Sequence, residues 1–246
     1  MIRKMVLLLC VAFNQSTMAA CNDPPAPAVN WSGCDKSGQD FSSLDMHGAI
    51  FTRANLQGAN FTAAKLNNVD LDSANISQAK FTKAIMMDAR LVSVMAIQTD
   101  FTDANLENAS FSRAKLMKAN FTRARLITSK FYESNAESAL FTSAVLNGSR
   151  FESAILKRAN FDKAEAERAK FIKSIFESAS LQESRFIRCE FDKADLTNAN
   201  FTSADLSKSS FREANINGAI FDQAILSDAS WVDYKRCRAD SVGGCR

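Results

Sequence analysis

Residues 101–126, FTDANLENASFSRAKLMKANFTRARL, hold Phe101, Leu106, Phe111, Leu116, Phe121 and Leu126 at intervals of five, with a small residue two places before nearly every one. Neither regular secondary structure produces that interval. A helix turns about 100° per residue, so a five-residue step scatters these side chains around its axis. A flat strand alternates faces every two residues, so an odd step sends successive phenylalanines to opposite sides. A backbone that turns a corner every five residues and climbs as it winds keeps all of them inside, and repetition at a fixed period marks a solenoid.

The interval holds far beyond this stretch. From Phe41 to Trp231 there are 39 positions five apart, each occupied by Phe, Leu, Ile, Met, Ala or Trp, and no insertion breaks the register. Two residues earlier, 27 of the 38 positions from 44 to 229 are Ala. Two of the five phases therefore face inward, and the other three, rich in Asn, Asp, Ser, Thr, Lys, Arg, Glu and Gln, face water. Phe and Leu alternate to give a ten-residue unit, and two such units predict a square coil of twenty residues. One aromatic ladder then climbs from Phe41 through Phe61 and Phe101 to Phe221, and an opposed one from Phe51 through Phe111 to Trp231. Ala166 at a Leu position, followed one coil later by Phe186, reads as an exchange of volume inside a close-packed bore, as does Leu181 in a Phe position. Ala96 and Ala136 have no such partner, and coil 81–100 is the expected weak point.

The ends have a different character. Residues 1–20 carry Arg3 and Lys4, an apolar run from Met5 to Phe13 and a small-residue close, the three-part pattern of a secretory signal peptide with an apolar core too short to span a membrane. The alternative is a lipoprotein acylated on Cys21, since MAAC loosely matches a lipobox. Beyond residue 20 stand Cys21, Cys34, Cys189, Cys237 and Cys245, an odd set for an exported chain. Cys21 and Cys34 flank a Pro-rich stretch and Cys237 and Cys245 bracket the loop RADSVGG, so two short-range disulfides are expected, with Cys189 a buried free thiol in the Ala phase. The organisation expected is a signal peptide over 1–20, an N-terminal cap over 21–40, the repeat solenoid over 41–231 and a C-terminal cap over 232–246. At about 4.8 Å per coil, some ten coils make a rod on the order of 45–50 Å long.

ANLQGANFTAAKL, ANLENASFSRAKL and ADLTNANFTSADL resemble the pentapeptide repeat family, whose consensus is Ala, then Asp or Asn, then Leu or Phe, then two variable residues. The resemblance covers 41–231 and implies an all-β fold, a right-handed quadrilateral β-helix. The Cys-containing ends are similar to the caps of exported bacterial members.

Chemistry finds few candidates. His47 is the one histidine, and no phosphate loop, nucleophile elbow or Cys/His metal spacing occurs. The expectation is a non-enzymatic protein with no cofactor and no small-molecule substrate, a monomer, acting as an interaction or structural module in the bacterial envelope or outside the cell. Its partner is expected to be a protein or a polyanionic surface such as nucleic acid or anionic lipid. Stacking by twenty gathers a basic belt of Arg113, Lys115, Lys118, Arg123, Arg125, Lys130, Arg150 and Lys170, and coil 111–130 contains no acid. A second basic column is Arg168, Arg188 and Lys208, and Ile155, Ile175 and Ile172 form a small outward apolar cluster. The family also implies an alternative, since its quinolone-resistance members imitate a DNA duplex and occupy type II topoisomerases with an acidic surface. This chain departs from them: residues 41–231 hold 23 Lys plus Arg against 22 Asp plus Glu.

Overall fold

A computed structural model of the protein describes residues 20–246. The predicted signal peptide lies outside these residues except for Ala20. No helix occurs among the described residues, and the chain repeats a five-residue unit of one bridge and one turn. Every fifth residue from Asn30 to Ser210 pairs in parallel with the residue twenty positions ahead, from Asn30 with Ile50 to Ser210 with Ser230. The protein is a β-solenoid with the predicted twenty-residue register.

The unit is explained by where its backbone N–H groups go. In the repeat around Phe101, the Phe101 N–H donates forward to Asn120 O (2.7 Å) and the Asp103 N–H to Thr122 O (3.0 Å). The Ala104 N–H closes a turn on Phe101 O (3.0 Å), and the Asn105 N–H reaches back to Ala84 O (2.9 Å). The fifth, that of Thr102, has no backbone acceptor and takes Asp100 Oδ1 instead (3.0 Å). Asn or Asp at the bridge position does this in coil after coil, including Asn60, Asn120, Asn160 and Asn200. The donated N–H groups of Ser37 and Ser42 hold the carboxyls of Asp35 and Asp40 below their ordinary pKa. Where the bridge residue is Arg90 or Ser180, the acceptor comes from one coil earlier: Val92 N–H donates to Asp72 Oδ1 and Gln182 N–H to Asp162 Oδ1, both at 2.9 Å.

Each corner demands a residue at positive φ, from Ser43 (59°) to Asp228 (59°), in the third place of a turn of type II form. Lys, Arg, Glu and Ser fill most corners, at an order of 1 kcal/mol each for a side chain held there. A repeating ladder overcomes this because every coil is locked by the next.

The interior is the predicted bore. Phe101, Phe121 and Phe141 are fully buried and stack at 4.9 Å with planes within 6° of parallel. Phe111 and Phe131 form the opposite wall, stacked at 4.8 Å, and meet the first wall edge-on, Phe111 against Phe121 at 5.5 Å and 88°. Ring spacing equals strand spacing, so a column of phenylalanines packs without strain. Leu181 interrupts the first wall. Phe186 fills the space that Ala166 leaves, its ring lying 6.0 Å from Phe161 and 5.5 Å from Phe171.

Two expectations change in detail. The ladder begins at Asn30, before Phe41, so much of the expected N-terminal cap is already wound into the solenoid. Trp31 is fully buried and stacked 5.5 Å from Phe51. Lys36 disguised this continuation: it occupies an inward position, and its ammonium lies over the Trp31 ring at 4.1 Å. The expected weak coil, 81–100, keeps its turns closed, with Val94 N–H to Leu91 O at 3.3 Å and Thr99 N–H to Ala96 O at 3.4 Å. The irregularity lies instead in 166–189, where the turn bond does not close at Ala169, Ser184 or Cys189. The Ala166–Phe186 exchange distorts this corner. Side chains then replace the lost bonds: Ser184 Oγ donates to Leu181 O (2.6 Å), the Cys189 thiol to Ala166 O, and Ser209 Oγ to Phe186 O (2.6 Å) while accepting from Cys189 N–H (2.9 Å). Burial pushes the Cys189 thiol well above its ordinary pKa. At the C-terminus the tail folds back antiparallel, pairing Val242 with Ile225 and Arg236 with Ser230.

Phe121→Ala is expected to cost about 3–5 kcal/mol in denaturant unfolding, because the parallel column cannot collapse onto the gap. Ser209→Ala leaves a buried N–H and a buried carbonyl unpaired and is expected to cost about 1–3 kcal/mol. Ser149, equally buried, has a hydroxyl with no partner among the described residues. Ser149→Ala should therefore leave the unfolding midpoint unchanged or raised, and an equal loss in both serine variants would refute the bridging role of Ser209.

Candidate interaction surface

Outward side chains leave the solenoid from the bridge residue, the residue after the inward one, and the corner. Residues twenty apart are neighbours, so the sign of any patch depends on the coils above and below it. This rearranges the predicted basic belt. Arg123 forms a double hydrogen bond with Asp103 (2.7 and 2.9 Å), which holds that carboxyl below its ordinary pKa. Arg125 reaches Glu107 (3.2 Å) and Lys170 reaches Glu190 (3.3 Å). Arg150 pairs with Glu152 (2.8 Å) and lies 4.7 Å over the Tyr132 ring.

Arg113, Lys115, Lys118 and Lys130 remain, all exposed, with no carboxylate within ion-pairing distance among the described residues. Lys130, Arg150 and Lys170 do stack as one bridged column, but two of the three are neutralised. In the second basic column, Arg168 (3.8 Å) and Arg188 (3.0 Å) share Glu167. Ile155 and Ile175 bridge each other and are half-buried.

The cysteines pair as expected, Cys21 with Cys34 (Cα–Cα 5.5 Å) and Cys237 with Cys245 (4.8 Å), one bridge at each end, with Cys189 free and buried. His47 is exposed, its Nδ1 2.8 Å from Asp45. A pocket of about 30 Å³ lies beside Asn147, Glu165, Ala166, Glu167, Arg185 and Ile187, room for about one water. It opens at the distorted corner, and only the small Ala166 side chain signalled it in the sequence. Sequence reading missed an outward apolar cluster of Met95, Ile97 and Met117, because Met117 stands twenty residues from Ile97 in sequence and one coil away in space.

Two family profiles match the repeat. The profile described as "Pentapeptide repeat region" matches residues 44–121, and the profile "Pentapeptide repeats (8 copies)" matches 28–58, 137–171, 167–202 and 189–228. No curated protein matches the chain at a significant level. Among solved structures, HetL, a pentapeptide repeat protein involved in heterocyst differentiation regulation from the cyanobacterium Nostoc sp. strain PCC 7120, is 25% identical, with 85% of this chain and 92% of that chain covered and a TM-score of 0.42. Full-length QnrB1, a plasmid-mediated fluoroquinolone resistance protein, is 14% identical over 77% of this chain and 92% of that chain, TM-score 0.35. A pentapeptide repeat protein from the Arabidopsis thaliana thylakoid lumen is 25% identical over 52% and 68%, TM-score 0.23. The profile matches take in well over half of the chain, and on them the chain belongs to the pentapeptide repeat family.

Proposed function

We propose that the protein is an exported, non-enzymatic interaction or structural module, a right-handed quadrilateral β-helix of about ten coils that presents a rigid surface to a partner protein or a polyanionic surface in the bacterial envelope or outside the cell. The observation that carries this reading is the placement of the two disulfides. Each ties down one terminus of the solenoid, where an open coil would otherwise fray or pair with another chain, and such bridges persist in oxidising compartments. The Cys21 sulfur is engaged by Cys34, which favours the unanchored form over the acylated one. Rigidity follows from the ladder, since each coil is hydrogen bonded to both neighbours along its whole length.

The charge of the rod argues against imitation of DNA. Basic and acidic residues nearly balance over 41–231, and most of the acids in the ion pairs are spent on cations of the adjacent coil. A competitor for a DNA channel needs a strongly negative face.

Fractionation of producing cells, with thiol labelling of the recovered protein, tests the reading. The expected protein is outside the cytosol, and when denatured without reductant it takes up one label, at Cys189, rising to five after reduction. Recovery only from the cytosol with all thiols free would overturn it.

A further inference from the structure

Three of the four unpaired cations of the basic belt, Arg113, Lys115 and Lys118, stand with outward apolar side chains on one face of the solenoid. The inward residues of that face are Ala96 and Leu116 in adjacent coils. Its outward residues are Met95 and Ile97 in the first coil and Lys115 and Met117 in the second, with Met95 bridged to Lys115. Arg113 and Lys118, both at φ 58°, are the corners that flank the second coil. Met95 is 39% exposed, Ile97 and Met117 are half-buried, and the three cations are exposed. None of the three has a carboxylate within ion-pairing distance among the described residues. Uncharged Asn75, Ser77 and Gln78 border the face on its N-terminal side. Glu133 and Glu137 close it on the other, and Glu137 is already engaged by Arg158.

We propose that this face, formed by Met95, Ile97, Arg113, Lys115, Met117 and Lys118, docks on a layer of anionic phospholipid headgroups. The inference rests on the proposed function and names its polyanionic surface. The shape favours a planar partner: the six residues surround the consecutive parallel bridges Asn75 to Met95 to Lys115 to Asn135 on one side of the solenoid. The order of the side chains favours a bilayer. Cations stand at both corners and beside an apolar centre, and a membrane surface presents phosphate outermost with acyl chains beneath. Methionine and isoleucine tips then enter the headgroup boundary while Lys and Arg stems lie flat and keep their charge at the phosphates. A soluble polyanion offers nothing to the apolar centre.

The test is flotation of the purified, disulfide-bonded protein with vesicles of equal parts phosphatidylglycerol and phosphatidylcholine, and with vesicles of phosphatidylcholine alone. Binding at least about tenfold tighter to the anionic vesicles, weakened by added salt, is expected. The Arg113→Glu, Lys115→Glu, Lys118→Glu triple variant should lose it. Met95→Ser with Met117→Ser should weaken it at unchanged charge, while Lys173→Glu with Lys208→Glu, elsewhere on the rod, should bind as the parent does. Circular dichroism and thermal melting confirm that each variant is folded. Equal binding to both vesicle types, no binding to either, or a triple variant that still binds would overturn the inference. So would a methionine variant that keeps full affinity while duplex DNA competes, since that describes a plain polyanion site. A negative vesicle result with protein that is exported and disulfide-bonded sinks this inference alone, whereas reduced, cytosolic protein sinks the proposed function.

Discussion

Every backbone N–H of the repeat must find an acceptor, and the five-residue unit is a solution to that constraint. Two N–H groups point forward to the next coil, one points back, one closes the turn, and one is left over. A side-chain oxygen of Asn or Asp at the bridge position accepts the last, which gives a physical reason for the Asn and Asp that precede so many inward Phe and Leu residues. At several positions where that oxygen is missing, a carboxylate or amide from the coil before supplies it, as Asp72 does for Val92 and Asn67 for Met87. The accounting ties chemistry at one corner to the residue twenty positions away, so the solenoid is cooperative along its axis even though each contact is only to a neighbouring coil.

The bore obeys a second constraint, constant volume per layer. Aromatic columns succeed because the coil rise and the ring-stacking distance are the same length, about 4.9 Å between Phe61 and Phe81 as between Phe121 and Phe141. A departure in one layer is felt in the next. Ala166 gives up space, Phe186 takes it, and the corner they share loses turn bonds that Ser184, Cys189 and Ser209 restore with side chains. Cys189 is in this sense a packing and hydrogen-bonding residue, and its thiol is held neutral by burial.

On the outside the same twenty-residue register decides electrostatics. Many ion pairs join one coil to the next, among them Asp103 with Arg123, Lys157 with Glu177, Lys163 with Glu183 and Lys193 with Glu213. Exposed pairs of this kind add little stability. Their effect is on recognition, because they cancel charge where a cation meets an acid of the next coil and leave others free, among them Arg113, Lys115 and Lys118 beside Met95, Ile97 and Met117. A rod whose net charge is nearly zero and that carries a basic, partly apolar face can take a preferred orientation toward a surface of opposite sign.

The sequence by itself determined the five-residue period, the twenty-residue register, the two inward phases, the aromatic walls, the pairing of the terminal cysteines and the burial of Cys189. The cysteine pairing follows from the short spacing within each end, and the rest from a strict local period, in which the identity of one phase reports the direction of its side chain whatever surrounds it. Lys36 shows the limit of that logic, since a charged residue at an inward position concealed a coil that Trp31 and Asn30 had already begun. The tertiary structure alone decided which cations are free, where the turn bonds fail, and that Met95, Ile97 and Met117 share a face with unpaired Lys115. Those features depend on distances between coils and on which rotamer reaches which neighbour, and a side chain twenty residues away in sequence but one strand spacing away in space can cancel a charge or fill a gap without leaving a local trace.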